Sequence, residues 1–103
     1  MDKILEQKNK ELIHLCGKFN VQRLEIFGSA AVEGRFDQAD SDLDFLVEFA
    51  PLQTGQYADT YFGLLESLES LFGKPVDLVM STAIKNPYFL ESVNLSRRVL
   101  YAA

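Results

Sequence analysis

Asp42 and Asp44 open the run DLDFLVEF, and carboxylates two positions apart on an extended chain point to the same side. Their charges repel at neutral pH, and no lysine or arginine is interleaved with them. A divalent cation is their natural partner. Mg²⁺ takes oxygen ligands, often one or two carboxylates together with substrate phosphates, so the pair predicts a metal and triphosphate site. Asp77 interrupts the second short apolar run, VDLVM, where an unpaired charge would be costly, and it is the candidate third carboxylate of a two-metal arrangement. Gly28-Ser29 suits the same chemistry. A glycine where a strand turns into a short helix lets backbone N–H groups approach phosphate oxygens, and the serine hydroxyl adds a donor.

Other uses of these aspartates fit less well. An EF-hand loop beginning at Asp40 would need glycine where Phe45 stands and glutamate where Pro51 stands. An aspartyl-phosphate enzyme carries its nucleophile after a buried strand, whereas here the apolar run follows Asp42 and Asp44. A purely structural role, as solubility residues at a strand edge, does not account for Asp77 repeating the pattern on a second apolar strand.

The elements that must position these groups alternate along the chain. Residues 2–19 carry a helical stripe of Leu5, Leu12, Leu15, Cys16 and Phe19. Residues 21–27 (VQRLEIF) read as a strand that Gly28-Ser29 ends, and residues 34–41 as a polar loop. In residues 41–49 the odd positions Leu43, Phe45, Val47 and Phe49 are apolar, a period of two that predicts a strand. Tyr57, Tyr61, Leu64, Leu65, Leu68, Leu71 and Phe72 form the clearest helical stripe, which Gly73 and Pro75 terminate. VDLVM is a short strand, Asn86-Pro87 caps a last helix reaching residue 94, and residues 99–101 add an edge strand. The expected fold class is α/β or α+β, with a small mixed sheet.

Length and composition narrow the function. With 103 residues, 48% of them hydrophobic, one core and one domain over residues 1–103 are expected. No apolar run approaches a bilayer span and the first residues lack a signal-peptide core, so a cytoplasmic protein with no membrane partner is expected. A lone cysteine, Cys16, and a lone histidine, His14, exclude a zinc cluster and read as ordinary helix positions. A net charge of -5 disfavours direct nucleic-acid binding, and Arg97-Arg98, the only local basic pair, reads as a solvated strand or helix edge.

The stretch GSAAVEGRFDQADSDLDFLVEF, Gly-Ser followed by Asp-x-Asp, resembles the signature of the minimal nucleotidyltransferases of the DNA polymerase beta superfamily. PVDLV resembles the segment carrying that family's third carboxylate, and the likeness extends over nearly the whole chain. It implies a nucleotidyltransferase fold, a small mixed β-sheet flanked by helices. It also implies that Gly28 and Ser29 bind a triphosphate and that Asp42 and Asp44 ligate two Mg²⁺ ions. Asp77 would be the third metal ligand or the base toward the attacking hydroxyl. One departure stands out. Members commonly carry an arginine and then a glycine soon after Gly-Ser-x-Ala, whereas Val32 and Glu33 stand here, with Gly34-Arg35 displaced. Arg35 either reaches the phosphates from that position or is a solvated loop residue.

Such short chains resemble the MNT antitoxins encoded beside HEPN ribonuclease toxins, in which AMP passes from ATP to a toxin tyrosine. That likeness implies a HEPN-type partner and a hetero-oligomer. An acidic chain without a nucleic-acid platform fits an acceptor that arrives on a protein. Two alternatives stay open. The chain could mask its partner by contact alone, through aromatic residues such as Tyr57, Tyr88 and Phe89. An aminoglycoside-type enzyme would carry a further helical domain.

Overall fold

Leu43, Phe45, Val47 and Phe49 are all buried, so the period of two marks a strand with one face turned into the core. A computed structural model describes residues 6–31 and 42–103 of the chain. These residues form helix α1 (Asn9–Lys18), strand β1 (Val21–Phe27), a 3-10 turn (Ser29–Ala31) and strand β2 (Leu43–Phe49). Helix α2 (Tyr57–Phe72), strand β3 (Val76–Met80), a second 3-10 turn (Ser81–Ala83), helix α3 (Pro87–Ser96) and strand β4 (Arg98–Ala102) follow.

The four strands lie in the order β3-β2-β1-β4. β1 pairs antiparallel with β2 and β4, while β2 and β3 run parallel. α2 supplies the crossover that a parallel pair requires. The sheet is mixed, as the sequence predicts. On one face Leu24, Ile26, Phe45, Val47 and Leu78 pack against Leu12 and Cys16 of α1 and Leu64 and Leu68 of α2. Burial pushes the Cys16 thiol up to about 12, so it stays a neutral, unreactive core group. On the other face Phe27 and Leu46 close around Val93 of α3, which explains why Leu46 is buried although the alternation places it opposite the main core.

The element boundaries follow local chemistry. Gly73 caps α2 in the left-handed conformation (φ 66°), and its N–H donates to the Glu69 carbonyl at 2.8 Å. The Asn86 side chain accepts from the N–H groups of Tyr88 and Phe89 while Pro87 takes the first helical position, as expected for the start of α3. Among the described residues no helix is long and apolar enough to cross a membrane.

Candidate active site

Strand register brings the singled-out residues to one end of one sheet face. Asp44 is the second residue of β2, opposite Phe27 across the antiparallel pair and Asp77 across the parallel pair. Phe27 leads directly into Gly28, so the turn at the end of β1 lies against Asp44. The approach is close: a Cβ added to Gly28 would sit 2.6 Å from Asp44 Oδ2, and the backbone there has φ +76°. Only glycine meets both conditions without strain. Asp42 is exposed immediately before β2, Asp77 is exposed on β3, and Asp44 is half-buried between them.

Two expectations change. Asp77 does not carry an unpaired charge inside a buried strand: β3 is the outer strand, and residue 77 faces away from α1 and α2. The Gly28 N–H, expected to face phosphate, instead donates to Ser96 Oγ at 2.8 Å. Ser29 is exposed at the start of the 3-10 turn that follows Gly28, in line with the expected glycine turn into a short helix. Val32 and Arg35 lie outside the described residues.

Burial raises the Asp44 carboxyl above the usual aspartate value, and the negative charges of Asp77 and then Asp42 raise it further. Tyr61 of α2 is also raised, by burial first and then by the charge of Asp77. Among the described residues the site is therefore a focus of negative charge, which a divalent cation would relieve. Among the described residues, no three carboxylate, imidazole or thiol side chains are grouped so as to hold a metal ion by themselves. The donor set fits a hard cation that takes its remaining oxygens from water and from phosphates.

Residues 4–100, nearly the whole chain, match the family model of the nucleotidyltransferase domain. The chain belongs to the nucleotidyltransferases. This nucleotidyltransferase is 42% identical over 88 residues to a Methanocaldococcus jannaschii chain assigned to the protein adenylyltransferases, covering 84% of one and 82% of the other. A solved minimal nucleotidyltransferase superposes with a TM-score of 0.72 at 30% identity, over 95% of both chains. The fold also matches, with a TM-score of 0.64 and 19% identity, a solved complex of tri-AMPylated Shewanella oneidensis HEPN toxin with MNT antitoxin, covering 96% of this chain and 73% of that one.

Two contacts that tie β1 and its turn to the far end of the chain are missed by sequence reading. Ser96, the last residue of α3, fixes the Gly28 turn. Its neighbour Arg97 is not a solvated edge residue: its Nε and Nη2 bond both carboxylate oxygens of Glu25, at 3.0 and 2.5 Å. Glu25 is 3% exposed in the middle of β1, and Arg23 Nε adds a weaker contact at 3.5 Å. The available signal is a lone glutamate between Leu24 and Ile26, a charge that needs a partner once its strand is central.

The Arg97 bonds outweigh the opposing effect of burial and hold the Glu25 carboxyl below its ordinary value. The pair thus contributes stability at pH above the ordinary glutamate value of about 4.3, and that contribution fades as pH falls through the lower folded value. Arg97→Ala is expected to destabilise the fold by about 2–3 kcal/mol at pH 7, because it leaves a buried carboxylate with one long contact. Thermal melts of both forms between pH 7 and pH 3 check this, and the gap between them should narrow on the acid side.

Proposed function

We propose that this nucleotidyltransferase transfers AMP from ATP to a hydroxyl, in our reading a tyrosine, of a HEPN-type partner toxin and thereby acts as its antitoxin. The observation that carries the reading is the convergence of Gly28, Asp44, Asp42 and Asp77 at one end of a sheet face, with Asp44 against the glycine turn. Similarity to a chain assigned to the protein adenylyltransferases supports adenylyl transfer to protein. The fold likeness to an antitoxin bound to an AMPylated HEPN toxin supports the partner class.

In this reading Asp42 and Asp44 would hold Mg²⁺, with Asp77 as third ligand or base, and the metal would supply charge neutralisation for the triphosphate. Ser29 and the Gly28 turn receive the phosphates. The acceptor oxygen attacks the α-phosphorus, the bond to the β-phosphate oxygen breaks, and pyrophosphate leaves while the hydroxyl proton passes to a carboxylate. Positioning and charge neutralisation are most of what such a transfer needs, so a small chain suffices.

A second reading, masking of the partner by contact alone, draws on exposed apolar side chains of α3. Tyr88 is 81% exposed and Leu95 86%, and Phe89 packs edge-on against Phe27 beside the site. The two readings differ in what they do with labelled nucleotide. With ATP labelled at the α-phosphate, label should enter the partner only when Mg²⁺ is present, and label at the γ-phosphate should not. A complex that forms and silences the partner without any transfer of α-label would favour masking.

A further inference from the structure

Among the described residues Asp77 stands on an outer strand, paired with β2 on one side. In a parallel pair, alternate residues of such a strand turn their N–H and C=O outward. Leu43 N–H donates to the Pro75 carbonyl at 3.1 Å, so residue 75 faces β2 and residues 76 and 78 face away from it. Of the four groups that residues 76 and 78 turn outward, the Val76 N–H and the Leu78 carbonyl are bonded by side chains of α2. Val76 N–H donates to Glu69 Oε2 at 3.2 Å, and Tyr61 O–H donates to the Leu78 carbonyl at 2.5 Å. Tyr61 and Glu69 lie about two turns apart on one side of α2, the helix that crosses from β2 to β3.

We infer that Tyr61 and Glu69 are positioning residues that pin the backbone on either side of Asp77 and so set this carboxylate against Asp44. This rests on the role given to Asp77 in the proposed function. The pins bond part of β3's outer edge from α2 without adding a side chain to the site face. The separation between Asp77 and Asp44 then depends on α2. A displacement of about 1 Å in a group that must meet a reacting centre can cost up to roughly a hundredfold in rate.

The expected result is a split between rate and binding. Tyr61→Phe and Glu69→Ala should each lower kcat for adenylyl transfer by about tenfold and leave KM for ATP within about twofold, because the Gly28 turn sits on β1 and not on β3. Glu69→Gln should stay close to native, since the amide oxygen can still accept from Val76 N–H. Amide hydrogen exchange across residues 76–80 should quicken in Tyr61→Phe and Glu69→Ala but not in Glu69→Gln.

Native kcat in both Tyr61→Phe and Glu69→Ala would overturn the inference, as would a loss in Glu69→Gln equal to that in Glu69→Ala, or unchanged exchange in β3. Should Tyr61→Phe fail to fold, the two Glu69 variants still decide. An Asp77→Asn protein with native activity, or a native chain that transfers nothing, would instead sink the proposed role of the site, and hydrogen exchange would still report on the pins.

Discussion

Replacing Asp42 and Asp44 together with asparagine should lower adenylyl transfer by at least about a thousandfold, the several kcal/mol that a metal's charge stabilisation supplies. The same change should leave the fold intact or slightly more stable. The direction follows from the charges. Burial and the negative groups at Asp77 and Asp42 raise the Asp44 carboxyl, so the folded chain holds its proton to higher pH than the unfolded chain does. Such a group makes the fold progressively less stable as pH rises past the ordinary aspartate range, and at pH 7 its charge is a net burden. Removing it relieves the repulsion. Activity and stability therefore move in opposite directions, the pattern of a site maintained at the expense of the fold. A melting curve and a transfer assay on the same variant check both halves. A large fall in melting temperature would mean that the aspartates serve structure instead.

Gly28→Ala should have the next largest effect, and Gly73→Ala supplies its control. Both glycines have left-handed backbones, with φ +76° and +66°, so an alanine at either site carries a similar conformational cost of about 1 kcal/mol. Their surroundings differ. A Cβ at position 73 meets nothing within 4 Å, whereas at position 28 it meets Asp44 Oδ2 at 2.6 Å. Either the turn or the Asp44 carboxylate must shift, and both belong to the proposed site. We expect Gly28→Ala to lose about a hundredfold in kcat/KM, the order that a 1 Å misplacement produces. Gly73→Ala should melt lower yet keep native activity. Equal activity in the two variants would show that the contact between Gly28 and Asp44 is incidental.

The chemistry was legible where it follows from local pattern. The period of two from Leu43 to Phe49 predicts the strand that carries Asp44, the apolar stripe from Tyr57 to Phe72 predicts α2, and Asn86-Pro87 predicts the start of α3. Strand order is a different matter, because periodicity says which face a residue takes and not which strands lie outermost. For that reason Asp77 reads from sequence as a buried charge and proves to be exposed on the outer strand. Partners distant along the chain were equally hidden. Ser96 meets Gly28 across 68 positions and Arg97 meets Glu25 across 72, and neither spacing leaves a trace in local composition. The pins on β3 are hidden for another reason. Tyr61 fits the apolar stripe of its helix, and nothing in that pattern shows that its hydroxyl ends on the Leu78 carbonyl.

The central claim, that Asp42, Asp44 and the Gly28 turn serve AMP transfer to a partner protein, is tested most directly by intact mass. A HEPN-type candidate partner would be weighed after incubation with ATP, Mg²⁺ and either the native chain or its Asp42→Asn/Asp44→Asn variant. The account predicts a mass gain of one or more AMP groups with the native chain and none with the variant. An unmodified partner that is nonetheless bound and silenced by both forms would contradict it.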